Sequence, residues 1–226
     1  MYYDEQSVAQ QVKLGTHRQL VGGMWEQIGA LQLAFMKKIG LRPDDLLLDV
    51  GCGCLRGGVK FVEYLNRDNY FGIDISQSLL NAGYDQEISA NEGLVAKLPR
   101  QNLRCVDTFD AASFGKEFDY AIAQSVFTHL TLNSIRQCLE NLPRVIKLNG
   151  KFCATYFRIA DGQPSGLPQQ NRFGVVTYGY KDPYHYRVAD FQHLIRGLPW
   201  AIEDELEWDH PRGQRMLVFS KTDTTI

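Results

Sequence analysis

The chain has 226 residues, 44% of them hydrophobic and 22% charged, with a formal net charge of -2. This composition is that of one globular domain and excludes a disordered, collagen-like or coiled-coil chain. Without a basic excess, a surface built throughout to hold nucleic acid is also excluded, although a local basic patch stays open.

The five cysteines, Cys52, Cys54, Cys105, Cys138 and Cys153, lie in or beside apolar segments and form no C-x-x-C pair. They read as buried free thiols in a reducing compartment, with no metal site. No run approaches the ~18 apolar residues that span a bilayer, and the opening MYYDEQSVAQQ is too polar for a secretory leader. A cytoplasmic protein with no membrane partner is expected.

Apolar residues at helical spacing from Leu20 to Ile39 predict a helix, stopped by Gly40 and Pro43. The run Leu46–Val50 predicts a strand buried on both faces, central in a parallel sheet. A helix then follows Gly57-Gly58 to Leu65, a second strand covers Tyr70–Asp74, and Ser76 caps a helix to about Ala90. Strands at Leu103–Val106 and Asp119–Ala123, a helix at Leu132–Ile146 and a strand at Gly150–Tyr156 continue the alternation. That order predicts an α/β fold with a doubly wound, mostly parallel sheet. The tail is different: a helix at Val188–Arg196, then two strands, Ala201–Trp208 and Met216–Ser220, joined by the short link DHPRGQ as an antiparallel hairpin. The Gly-, Pro- and Gln-rich stretch from Ile159 to about Tyr184 is long enough to be functional.

The chemistry concentrates at LLLDVGCGCLRGG, where a buried strand ends in an acid and a glycine-rich turn opens a helix. Gly51 and Gly53 let a ligand approach the strand end. Asp74 closes the second strand roughly 20 residues on, where a carboxylate can accept both ribose hydroxyls of an adenosine. Dinucleotide enzymes share this layout. Asp49, two residues before Gly51, is placed for a cationic amino group rather than a pyrophosphate. The terminal hairpin and the segment FDYAIAQSVFTHL point the same way.

LLLDVGCG, YFGIDIS, FDYAIAQSVFTHL and LNGKFCATYF resemble the ordered motifs of class I S-adenosylmethionine-dependent methyltransferases, over roughly residues 40 to 220. DVGCGCLRGG, FTHL and DHPRGQRMLVF resemble, more narrowly, a bacterial subgroup of methyltransferases without a characterised acceptor. The resemblance implies a Rossmann-like methyltransferase fold with a seven-stranded sheet and S-adenosyl-L-methionine as cofactor. It assigns Asp49, Gly51, Cys52 and Gly53 to the methionine half, Asp74 and Ile75 to the ribose, and Gln124 to the methionine side. An acid after the third strand, Asp107 with Asp110 as rival, would take the adenine amino group. Cys54-Leu55 departs from the pattern, since many relatives carry a further glycine there.

The expected organisation is one methyltransferase domain over 1–226, with an N-terminal helical extension at 1–42 and an acceptor-side insertion at about 157–187. His129, His185 and His210 are the candidate general bases for a hydroxyl acceptor; for His129, capping or packing the next helix is the favoured alternative. Tyr178, Tyr180, Tyr184 and Tyr186 suit an acceptor with a flat or sugar-like face, or else fasten their loop to the core. Arg212, in the hairpin link, is a candidate acceptor contact or a solvated charge. His17 and Trp25 belong to a segment that reads as a lid over the cofactor or as a surface helix.

The expected reaction is O-methylation of a small molecule, a sugar or secondary-metabolite hydroxyl. Alternatives are a methyltransferase acting on RNA or protein, a non-catalytic S-adenosylmethionine-binding scaffold, and a nicotinamide-dependent oxidoreductase. Nucleic acid is the disfavoured acceptor, with no DPPY-like tetrapeptide present, and a homodimer is compatible with the sequence.

Overall fold

The structure, a computed structural model, describes residues 4–160 and 162–223. The first three residues of the predicted extension, residue 161 of the predicted insertion and the last three of the domain lie outside it. Contacts group the chain into two compact units, Met1–Asp107 and Thr108–Ile226.

In the first unit, α1 (Glu5–Lys13) starts at Asp4, whose side chain accepts from the Gln6 N–H. Glu5 in its first turn and Lys13 in its last both oppose the helix dipole. The single helix predicted from Leu20 is divided into α2 (His17–Leu20) and α3 (Trp25–Lys38). The cause is Gly22-Gly23, which take φ of 91° and 61° and break the helical path.

β1 (Leu47–Val50) and β2 (Tyr70–Asp74) are buried throughout and pair in parallel, Leu47 opposite Tyr70 and Asp49 opposite Gly72. β3 (Leu103–Cys105) adds in parallel to β2, giving the order β3-β2-β1. Between them lie α4 (Gly58–Tyr64), α5 (Gln77–Ala82) and α6 (Glu92–Lys97). Ser76 caps α5 as expected, accepting from Leu79 N–H. The helix predicted to about Ala90 is α-helical only to Ala82 and widens into a π turn over Gly83–Ile88. At Gly83 a Cβ would lie 2.8 Å from the Cys54 carbonyl carbon, so glycine allows this helix to touch the glycine-rich turn.

In the second unit, β4 (Phe118–Ala123) pairs in parallel with β5 (Ile146–Arg158). Between them, α7 (Leu132–Asn141) stops short of the predicted Ile146 because a 3-10 turn containing Pro143 ends it. After α8 (Val188–Leu194) come β9 (Trp200–Leu206) and β10 (Arg215–Lys221), the predicted antiparallel hairpin. β10 runs antiparallel to β5, so β9 is parallel to β4 and β5 and the order is β4-β5-β10-β9. The predicted insertion carries structure of its own. β6 (Gln169–Gln170) and β7 (Val176–Thr177) form a small hairpin, and β8 (His185–Tyr186) pairs in parallel with the end of β5.

Fully buried aromatic rings fill this unit: Phe152 packs on Phe127, Phe219 and Trp200 at centroid distances of 5.9, 5.7 and 6.1 Å. Each such ring contributes roughly 1.5–3 kcal/mol by burial. The fold class is the one the sequence predicts: α/β, with a mostly parallel sheet and a C-terminal antiparallel hairpin. No helix among the described residues is long and apolar enough to cross a membrane.

Candidate cofactor and acceptor site

β1 ends in Asp49-Val50 and delivers the chain into the turn. Gly51 and Gly53 take φ of 72° and 55°, values that favour glycine. The N–H groups of Gly51 and Cys52 both donate to the Ile73 carbonyl, at 2.8 and 3.1 Å, which ties the turn to β2. Asp74 closes the frame: Oδ2 accepts from Gly53 N–H at 2.8 Å and Oδ1 from Ser76 N–H at 2.9 Å. Burial raises the Asp74 carboxyl, against the lowering effect of these N–H donors.

Asp49 is buried as well, and its Oδ2 accepts the Tyr70 hydroxyl at 2.8 Å. Burial, with the charge of Asp74 adding to it, pushes the Asp49 carboxyl up to about 7, despite the Tyr70 bond and the Arg56 charge. A cation placed beside such a carboxyl would favour its charged form. Cys52 packs its thiol over Gly72, where a Cβ would lie 2.7 Å from its Sγ. Ile75 stays exposed beside Asp74, and Asp107 is exposed just after β3. The rival Asp110, in the second unit, accepts from Ala112 N–H at 2.9 Å and so shapes its own turn.

The N-terminal helices are fastened to this frame. The Glu5 carboxylate accepts from the Ser76 hydroxyl and the Ser78 N–H, at 2.7 and 2.8 Å, and sits on the first turn of α5. Arg56 donates to the carbonyls of Val21 and Gly23, and the Cys54 thiol to that of His17. A Cβ at Gly53 would meet Val21 Cγ1 at 2.9 Å. Glu87, on the π turn, pairs with both His17 and Arg18, and Arg18 stacks over Trp25. The segment holding His17 and Trp25 thus covers the turn.

In the second unit, Gln124 follows β4 and His210 follows β9, at the carboxyl ends of parallel strands, where open α/β sheets bind ligands. His210 is buried, and its Nε2 lies 3.3 Å from the Gln124 amide. Its Nδ1 accepts from the N–H groups of Arg212 and Gln214 at 3.2 and 3.5 Å. The Gln124 group near Nε2 is the amide nitrogen, so both ring nitrogens of His210 face N–H donors. His129 has a carboxylate partner instead. Its Nδ1 bonds Asp182 Oδ1 at 2.6 Å, which leaves the lone pair on Nε2.

His185 is buried, with Nδ1 bonded to the Thr177 hydroxyl at 3.0 Å and Nε2 to the Ser165 carbonyl at 3.1 Å. Both nitrogens therefore hold the insertion together. The tyrosines divide. Tyr186 is buried, donates to the Leu130 carbonyl and stacks on Tyr184, whereas Tyr178 and Tyr180 pack on each other at 5.9 Å.

Several groups have no mark in the sequence: Tyr70 on Asp49, Glu5 on Ser76, and Asp182 on His129. Each pair is far apart in sequence, and only the D-V-G-C-G spacing around Asp49 carries a local signal.

Together, a parallel sheet, a positive-φ glycine turn and two buried acids on adjacent strands define an α/β protein with a glycine-rich turn at the carboxyl end of its first strand. Residues 48–152 match a family described as a methyltransferase domain. An uncharacterised protein of Rickettsia prowazekii (strain Madrid E) is 29% identical over 119 residues, 50% of this chain and 45% of that protein. The chain thus spans about half the length of this curated relative. Magnesium protoporphyrin IX methyltransferase from Synechocystis PCC 6803, solved with S-adenosylhomocysteine, superposes with a TM-score of 0.64 at 16% identity, covering 97% of this chain and 100% of that one. An S-adenosylmethionine-dependent methyltransferase from Clostridium acetobutylicum ATCC 824 gives 0.64 at 12% identity, covering 92% and 97%. Identities this low establish a shared fold.

Proposed function

We propose that the chain is an S-adenosylmethionine-dependent methyltransferase that methylates a hydroxyl of a small molecule in the cytoplasm. The observation that carries this reading is Asp49: a buried carboxyl raised to about 7 at the mouth of a glycine turn, with Asp74 on the next strand. The residues fit the cofactor. Asp49 receives the methionine ammonium, which restores its charged form. Asp74 uses one lone pair of each oxygen on a backbone N–H and keeps the others for the two ribose hydroxyls. Gly51, Cys52 and Gly53 line the methionine half, Ile75 covers the ribose side, Asp107 takes the adenine amino group and Gln124 the methionine side.

When bound, the cofactor supplies a sulfonium methyl, an electrophile that needs alignment more than activation. His129 accepts the acceptor's hydroxyl proton at Nε2, with Asp182 holding the opposite nitrogen. His210 orients polar groups at the same strand edge, with Arg212 beside it. Tyr178 and Tyr184 face the acceptor from the insertion. Calorimetric titration with S-adenosylmethionine, S-adenosylhomocysteine and NAD(P) tests the reading. Binding of the first two is expected; binding of NAD(P) alone would overturn it.

A further inference from the structure

The Asp49 carboxyl has a fixed partner in its own unit. Tyr70 opens β2, is 2% exposed, and donates its hydroxyl to Asp49 Oδ2 at 2.8 Å. In the strand register Tyr70 lies opposite Leu47, and Asp49 opposite Gly72, so the tyrosine reaches along the sheet toward the carboxyl end of β1. Its ring and its backbone are both held. Phe61 of α4 stacks on the ring at 6.3 Å and 21°, and Asn102 Nδ2 donates to the Tyr70 carbonyl at 3.1 Å and to Asp68 Oδ1 at 2.8 Å. A tyrosine fixed in this way has little freedom to aim its hydroxyl elsewhere.

The bond acts on the acid in two ways. It uses one lone pair of Oδ2 and leaves Oδ1 for another donor. It also favours the charged carboxylate. The other groups around Asp49 act in both directions: burial and the Asp74 charge oppose ionisation, Arg56 favours it, and the neighbouring Cys52 thiol is itself held protonated by burial. Burial raises Tyr70 well above the usual tyrosine range, so its hydroxyl stays a donor at neutral pH.

We propose that Tyr70 is a positioning residue for S-adenosylmethionine: its hydroxyl holds the Asp49 carboxylate in the orientation that meets the methionine ammonium, and so sets affinity for the amino-acid half of the cofactor without touching the ligand. The proposal rests on the methyltransferase reading and deepens its cofactor site.

Calorimetry on the full chain with two probes tests it: S-adenosylhomocysteine, and methylthioadenosine, which carries the same nucleoside and sulfur but no ammonium. Tyr70→Phe keeps the ring against Phe61 and removes only the hydroxyl. At neutral pH the variant should bind S-adenosylhomocysteine about ten-fold or more weakly, and methylthioadenosine as the wild type does. The deficit for S-adenosylhomocysteine should narrow from about pH 6 to about pH 8, because the carboxylate ionises at higher pH even without its donor, while the ligand's own ammonium titrates alike for both proteins. In an Asp49→Asn background, Tyr70→Phe should cost no further affinity. In a folded variant, equal losses for both probes, a deficit independent of pH, or unchanged S-adenosylhomocysteine affinity would overturn the proposal. Should the variant not fold, the wild type decides: the Tyr70 hydroxyl proton, assigned by NMR through its ring protons, should stay protected with S-adenosylhomocysteine bound, and its release on binding would overturn the proposal. A wild type that binds neither probe removes the methyltransferase reading as well, whereas equal S-adenosylhomocysteine affinity in wild type and Tyr70→Phe removes only the role of Tyr70.

Discussion

Tyr70 donates its hydroxyl to Asp49 across two adjacent strands, and Gly58, at the start of α4, is the residue that makes room for it. A Cβ at position 58 would lie 2.6 Å from the Tyr70 oxygen. The bond favours the charged carboxylate, against the burial that raises it.

The first prediction concerns that acid. The folded protein retains the Asp49 proton to about pH 7, while an ordinary aspartate releases it near 3.8. The native state therefore binds more protons in that window, so this group makes stability fall as pH rises from about 4 to 7 and level off above. Urea midpoints should show this slope in the wild type and a flatter one in Asp49→Asn. The same variant should bind S-adenosylmethionine about 10- to 100-fold more weakly, because a charge-assisted bond becomes a neutral one. An unchanged dissociation constant by calorimetry would remove Asp49 from the cofactor site.

A second prediction separates backbone strain from steric fit at the turn. Gly53→Ala places a side chain at positive φ and against Val21, and should cost about 1–3 kcal/mol in chemical denaturation. Adding Val21→Ala should recover the steric part only. Full recovery would mean that the φ angle costs nothing.

The N-terminal cover gives a third. Glu5→Ala removes the carboxylate that binds the first turn of α5. Amide exchange over residues 5–13 should accelerate, while the strands β1 and β2 keep their protection. Equal protection in both proteins would show that α1 is held by its apolar side alone, through Val8.

His129 and His210 should behave differently. His129→Ala should lower labelled methyl transfer to host metabolite fractions about 10²-fold or more, as expected for loss of a general base. His210→Ala should slow turnover while leaving cofactor affinity within a small factor. Unchanged turnover would remove His210 from the mechanism.

Much of this frame is legible in the sequence for a local reason. β1 and β2 are short apolar runs bounded by turn residues, and Ser76 caps its helix by hydrogen bonding three residues on. The hairpin declares itself by two strands and a short link. Less legible is whatever depends on a distant neighbour. Gly57 and Gly58 read as part of a ligand-binding turn, yet a Cβ at either would collide with Gln32 or Tyr70, so their smallness serves packing. α1 is mostly polar and carries only a weak apolar stripe, and β6, β7 and β8 span two residues each, too few for any alternation to show. Asp182 reaches His129 through a segment whose sequence reads as loop.

Leu55 stands where many related turns carry glycine, and it holds glycine's geometry: φ is 68° and the side chain is fully buried against Gly58 and Gly83. Glycine here would sample many shapes in the free protein, whereas a packed leucine samples one. The turn is thus a mould cast in advance. On the proposed function, a nucleoside that matches it would dock without waiting for the loop to arrange itself, and one that does not match would find no slack to exploit.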